Sequence, residues 1–277
     1  MRIGAFEIFF ASDGTFRLDG GAMFGIVPKT LWSRLTRPDR KNRIRMGLNS
    51  LVVRFPGGVA VVDTGMGGDW DAAARKRYGM SGCGLLPGRL RGMGVPPESV
   101  THLICTHLHF DHAGGNCTDG RPTFPEARYL VQRAELDAAA NPGPLSAGSY
   151  REGDWRPVET SGNLVALRED RVELAPGMEL LRTGGHTRGH QMVTVSADGL
   201  TVAYPGDLVP TRHHLNLPYI MGYDLYPEEL VARKRELLER AAADGWLLLF
   251  EHDAEPAFCR VERHGRRFFA KPLEAAE

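Results

Sequence analysis

The chain has 277 residues, 42% hydrophobic and 25% charged, with 34 basic and 34 acidic side chains and a formal net charge of zero. That balance speaks against general electrostatic binding to nucleic acid or to an anionic membrane, and no apolar run reaches the length of a membrane span. Cys83, Cys105, Cys117 and Cys259 form no CxxC pair and suggest no disulfide framework, so a reducing cytoplasm is the expected compartment. The acidic Glu7 stands where a secretory leader needs an apolar core, which points the same way.

Residues 3–10 read as a strand. Residues 19–25, Asp-Gly-Gly-Ala-Met-Phe-Gly, are too glycine-rich for a helix interior and read as a loop. The basic stretch 34–46 reads as a solvated surface. Residues 50–55 and 59–63 are β-branched runs around Pro56-Gly57-Gly58 and predict a hairpin ending at Asp63-Thr64-Gly65. A helix is expected over 71–78, then loop and short turns over 79–97. Residues 100–106 predict a strand that runs into His107-Leu108-His109-Phe110-Asp111-His112. A strand at 127–131 and a helix at 132–140 precede a long loop over 141–163, a length often used for lids. Short strands follow at 172–174, 178–182, 191–195 and 200–204. Residues 227–243 form the best helix, with Pro227 in its first turn, Glu228 and Glu229 at its positive end and Gly245 past its stop. Residues 246–250 read as a buried strand delivering Glu251-His252-Asp253, and a basic hairpin carrying His264 closes the chain. No linker of disordered composition interrupts this order, so a single domain over 1–277 is expected.

Three imidazoles and a carboxylate within six residues are the donors that suit zinc and related divalent ions. Further His and Asp residues recur just past apolar runs: Asp63, His186 and His190, Asp207, and His252. In a layered fold, strand ends on one edge converge, and the loops there carry function.

Together, His107-x-His109-x-Asp111-His112, Gly185-His186-Thr187, Gly206-Asp207, the late His252 and the early Asp63-Thr64-Gly65 resemble the metallo-β-lactamase superfamily, in the expected order over about 48–255. The resemblance implies an α/β fold, a four-layer αβ/βα sandwich with a two-metal site at the strand ends. It implies one ion on His107, His109 and His186, a second on Asp111, His112 and His252, and Asp207 between them. Two divalent ions are implied, zinc first, with Mn or Fe accepted by the same donors. In that reading a metal-bridging hydroxide attacks a carbonyl, Asp111 is catalytic as the residue that manages the proton, and Asp63 hydrogen-bonds the ligand loop. His190 takes a structural place, His102 packs in its strand, and Cys105 reads as a small buried residue. His213 and His214 face the pocket mouth or solvent.

Within the family, the segments 19–29 and 210–226 resemble those of quorum-quenching lactonases and methyl parathion hydrolase-like esterases. The likeness implies an apolar wall in which Met23, Phe24, Trp32 and Tyr223 contact an acyl chain or an aromatic leaving group. The chain departs from the best-known lactonases at Pro210, where they carry a tyrosine, and Tyr223 is the candidate to replace it. The implied activity is hydrolysis of a lactone or carboxylic ester, with phosphotriesters as a further class. The partner is a small molecule, with no nucleic acid or membrane, and a homodimer is compatible. The persulfide dioxygenase branch, with one iron, shares His-x-His-x-Asp-His and stands as the alternative.

Overall fold

The uninterrupted apolar runs Leu51-Val52-Val53 and Leu247-Leu248-Leu249 are strands covered on both faces, and the period of two sends neighbouring side chains to opposite sides. The computed structural model describes residues 1–273. Among them, a first sheet holds β1 (Arg2–Ile3), β2 (Phe6–Asp19), β3 (Arg43–Phe55), β4 (Gly58–Val62) and β5 (His102–Ile104). A small ribbon, β6 (Cys117–Thr118) with β7 (Arg121–Pro122), follows; β8 (Arg128–Gln132) and β9 (Leu164–Leu167) then complete the first sheet. The second sheet runs in sequence order through β10 (Arg171–Ala175), β11 (Met178–Arg182), β12 (Gln191–Ala197), β13 (Leu200–Tyr204), β14 (Leu247–Leu249), β15 (Phe258–His264) and β16 (Arg267–Pro272). The helices are α1 (Gly20–Phe24), α2 (Lys29–Trp32), α3 (Ala72–Tyr78), α4 (Leu86–Gly92), α5 (Phe110–Ala113), α6 (Arg133–Ala140), α7 (Arg156–Ser161) and α8 (Pro227–Asp244). None is long and apolar enough to cross a membrane.

Leu51, Val53, Val62 and Ile104 of the first sheet share one buried cluster with Leu180, Val193, Val202 and Leu249 of the second. On the outer faces, Val52, Val61 and Leu103 meet Leu86, Leu90 and Leu136 of α4 and α6, while Ala203 and Leu248 meet Leu230, Leu237 and Leu238 of α8. The result is the expected αβ/βα sandwich, each buried aliphatic side chain contributing roughly 1.5–3 kcal/mol.

The parallel pairs β4–β5, β5–β8 and β13–β14 aim their carboxyl ends at one edge. Asp63 follows β4, His107 follows β5, Asp207 follows β13 and His252 follows β14.

Several local expectations are corrected. The glycine-rich stretch 19–25 contains a helical turn, because Asp19 caps it by accepting from Gly21 and Ala22, at 2.8 and 3.0 Å. The basic stretch 34–46 includes the start of β3: Arg45 points outward while Ile44 and Met46 are buried, so charge masked a period-two strand. A helix, α4, stands inside 79–97, with Pro87 tolerated in its first turn and Leu86 and Leu90 buried four residues apart. The expected loop 141–163 contains α7, likewise opened by a proline, with Val158 buried.

Candidate metal centre

Short turns at the strand ends set each donor. Asp63 stands in the left-handed region (φ 57°), and its carboxylate turns back onto the next strand end, accepting from Thr106 N and Thr106 Oγ1, both at 2.7 Å. That contact fixes the start of the histidine loop. Helix α5 then presents Asp111 and His112. Gly206 takes φ 53°, and a Cβ there would meet His190 Nε2 at 2.8 Å, so the turn before Asp207 needs glycine. His190 Nε2 accepts the Asp207 N–H at 3.0 Å, and its Nδ1 lies 2.6 Å from Thr183 Oγ1. Its role is to hold Asp207, as the structural reading expected.

Asp207 is the centre of the cluster. Its Oδ2 lies 3.2 Å from His186 Nε2, 3.5 Å from His112 Nε2 and 3.8 Å from His107 Nε2, and its Oδ1 lies 3.3 Å from His252 Nε2. His186 Nε2 faces His109 Nδ1 at 3.1 Å, and His252 Nε2 faces His112 Nε2 at 3.1 Å. Asp111 Oδ2 stands 3.8 Å from His252 Nε2. The seven donors fall into three groups, His107 with His109 and His186, His107 with His112 and Asp207, and Asp111 with His112 and His252, and Asp63 and Glu251 make a fourth with His112; in each the ligand atoms lie within 4.8 Å of one another. All seven sequence-predicted ligands therefore converge.

The donor set fits divalent ions. His107 Nε2 and Asp207 Oδ1 are buried without a hydrogen-bond partner, an arrangement proteins avoid unless something else satisfies those atoms. Ring nitrogens 3.1 Å apart match the spacing of about 3.3 Å between two nitrogens on one tetrahedral zinc ion. The outer ring nitrogens are held in turn. His107 Nδ1 meets Thr106 Oγ1 at 3.0 Å, His186 Nδ1 meets Asp224 Oδ1 at 2.8 Å, and His252 Nδ1 donates to Gly47 O at 2.9 Å. His112 Nδ1 donates to Asp63 Oδ2 at 3.1 Å, and Glu251 Oε2 stands beside it at 2.7 Å without taking that bond. Such supports orient metal-ligating histidines and set their tautomers.

The electrostatics also favour cations. Burial and the neighbouring imidazoles hold His107 and His109 well below the ordinary histidine range, which leaves them neutral, the ligating form. Burial alone would lower His112 and His252, yet Glu251 and Asp207 raise His112, and Asp207 lifts His252 to about 9. Burial would raise Asp207, but the imidazoles of His112, His186 and His252 hold it well below the usual carboxylate range.

A cavity of about 290 Å³ opens over this floor. His109, Asp111, His186, Asp207 and His252 line its base; Leu18, Met23, Tyr78, Phe110, Met221 and Tyr223 form its walls; Leu145, Gly148 and Ser149 form its rim. Met23 and Tyr223 thus line the cavity. Phe24 and Trp32 do not: both are fully buried behind Met23, their rings stacked 5.4 Å apart. His214 is packed there as well, 4.6 Å from Phe24, with its Nε2 donating to Met23 O at 2.8 Å. It supports the wall from behind.

Glu135 was not singled out in the sequence, and neither Asp224 nor Glu251 was given a role there. Fully buried Glu135 accepts from Leu108 N, Tyr150 Oη and Thr187 Oγ1, at 3.0, 2.9 and 2.6 Å, tying both histidine loops and the rim segment together. Its sole sequence signal is a charged residue on the otherwise apolar side of a short helix.

The family profile described as Metallo-beta-lactamase superfamily matches residues 45–252. An N-acyl homoserine lactonase of Bacillus cereus is 34% identical over 170 residues, 60% of this chain and 61% of that protein. The chain thus spans under two thirds of the length of that curated relative. A probable metal-dependent hydrolase from Staphylococcus aureus superposes over 100% of both chains with a TM-score of 0.91 and 26% identity. AidC, a dizinc quorum-quenching lactonase, shares the fold at a TM-score of 0.84, with 19% identity over 100% of this chain and 97% of its own. With the profile covering most of its length and the ligand motifs meeting at one sheet edge, the chain belongs to the metallo-β-lactamase superfamily.

Proposed function

We propose that this protein is a dinuclear-metal hydrolase that opens a lactone or cleaves a carboxylic ester. The observation that carries the reading is the convergence of seven donor residues in groups linked through His107 and His112, with His109, Asp111, His186, Asp207 and His252 lining the base of an apolar-walled cavity. His107, His109 and His186 would hold one ion, Asp111, His112 and His252 the second, with Asp207 between. Zinc suits this set best, and Mn or Fe are taken by the same donors. When bound, such ions polarise a carbonyl oxygen and make water acidic enough to supply a nucleophile at neutral pH.

The chain's own residues do the rest. Asp111, at the cavity base, takes the proton of the attacking water and returns it to the leaving alkoxide oxygen. Tyr223 stands in the wall near that base; burial pushes its phenol up to about 12, so it keeps its proton and can donate to the substrate carbonyl. Met23, Phe110 and Met221 hold the apolar part of the substrate and exclude water. The lactonase kinship of the matched segment favours a lactone among carbonyl substrates. Four free, buried cysteines suit a reducing compartment, and we assign the protein to the cytoplasm.

A single-iron reading leaves the Asp111–His112–His252 group without a task, although its donor atoms lie together and buried. The two-metal reading uses all seven of the predicted ligands. Replacement of His109 or Asp207 by alanine abolishes hydrolysis of lactones and aryl esters and lowers bound metal. Full turnover in either variant would sink the proposal.

A further inference from the structure

Zero net charge conceals a local imbalance. Between Lys29 and Arg45 the sequence carries seven lysines and arginines and one acid, Asp39. Asp39 is engaged by Arg43 at 2.9 Å. The other six, Lys29, Arg34, Arg37, Arg40, Lys41 and Arg45, are exposed and have no carboxylate partner among the described residues.

Large aliphatic side chains stand in solvent within the same segment: Ile26 is 77% exposed, Leu31 47% and Leu35 41%. Helix α2 is prolonged by hydrogen bonds from Ser33 N to Lys29 O, Leu35 N to Trp32 O and Thr36 N to Trp32 O. Leu31 and Leu35, four residues apart on these turns, therefore project from one side. The other side is anchored, because Trp32 is buried against Gly20 and stacked on Phe24. The segment is a fixed projection with aliphatic side chains set among unpaired cations.

That combination is the chemistry of an interfacial segment, in which aliphatic side chains enter the acyl boundary while lysine and arginine remain among anionic headgroups. We infer that residues 26–41 dock this protein on the surface of an anionic lipid bilayer. Charge complementarity selects this occupant. A two-fold interface with a second copy would set the cationic patch against itself. A nucleic acid would satisfy the cations but leave Ile26, Leu31 and Leu35 against phosphate and water. The inference stands on this surface alone and is independent of the reaction at the metal centre. It also has a consequence for access. Phe24 links α2 to Met23 in the cavity wall, so docking brings the cavity's wall segment to the membrane, where amphiphilic small molecules partition.

Sedimentation of the full chain with vesicles tests this, using phosphatidylcholine alone against equal parts phosphatidylcholine and phosphatidylglycerol. The expected result is binding to the mixed vesicles that weakens with added salt, with little on phosphatidylcholine. Each cation contributes about fivefold in partition, so the double substitution Arg34→Glu and Arg37→Glu lowers binding by at least about 25-fold. Leu31→Ser with Leu35→Ser weakens binding while the full chain still melts cooperatively with only a modest drop, because 47% and 41% of the two residues are already exposed. Equal binding to both vesicle types, or none, overturns the inference. So does a dimer in sedimentation velocity that the leucine variant abolishes, which would assign the face to a second copy. Full vesicle binding by the leucine variant, displaced by an oligonucleotide, would assign it to polyanions in general and overturn it as well.

Discussion

Oδ1 of Asp224 lies 2.8 Å from Nδ1 of His186, and Oδ2 of the same carboxylate accepts the Met221 N–H at 2.7 Å. One side chain thus ties a candidate ligand to the segment that forms the cavity wall. Replacing Asp224 by alanine removes both contacts. Loss of such a support to a ligating histidine lowers metal affinity about 10–100-fold. Competition with a chromogenic chelator measures this directly. A rise in KM is expected alongside, because Met221 loses its anchor.

Glu135 is a buried carboxylate satisfied by three neutral donors. Glu135→Ala leaves Leu108 N, Tyr150 Oη and Thr187 Oγ1 without their acceptor. Each buried unsatisfied group costs about 1–3 kcal/mol, so a loss of at least about 3 kcal/mol in unfolding free energy is expected. Urea denaturation followed by circular dichroism gives the value; a change below about 1 kcal/mol would contradict the bonding described.

Lys234 is fully buried on α8, its Nζ donating to Asn216 O at 3.0 Å and Tyr219 O at 2.7 Å. Burial lowers its pKa to about 7, with Asp224 opposing. Between about 7 and the ordinary lysine value the unfolded chain holds a proton that the folded chain has released, so this group's contribution to stability rises with pH across that window and is flat below it. The slope is about 1.4 kcal/mol per pH unit at full development. Lys234→Met removes it: the stability difference between wild type and variant grows in favour of the wild type as pH rises from neutral. Parallel melting curves across that range would refute the assignment.

Tyr223 provides a test of substrate handling separate from metal binding. Tyr223→Phe keeps the apolar wall and removes one donor. A lost hydrogen bond to the developing oxyanion reduces kcat for lactones by roughly tenfold or more, with metal content unchanged. An equal loss of bound metal would point to a structural role instead.

The parts legible in the sequence share one physical basis. Apolar runs ending abruptly in His or Asp, as at 100–107 and 200–207, are buried parallel strands whose next residues emerge at a sheet edge. Where local composition and tertiary packing disagree, the reading fails. Pro87, Gly88 and Gly92 hide α4, although Leu86 and Leu90 bury its face. Arg43 and Arg45 disguise the first turnings of β3. Phe24 was assigned to substrate because apolar residues line cores and pockets alike, and it lies in the core. The roles of Asp224, Glu135 and Glu251 were hidden for another reason. Each acts on a partner far along the chain, as Asp224 does on His186 and Glu251 on His112, and no local pattern encodes those pairings.

The central claim is that two ions held by the converged donors drive carbonyl hydrolysis. Stepwise metal return to chelator-stripped protein, with lactone-opening rate read against bound metal per chain, tests it most directly. The account predicts no turnover in the stripped protein, full turnover at two zinc equivalents, and neither metal uptake nor rate in Asp207→Ala. Turnover in the stripped protein, or activity complete at one bound iron with oxygen consumed, would contradict it.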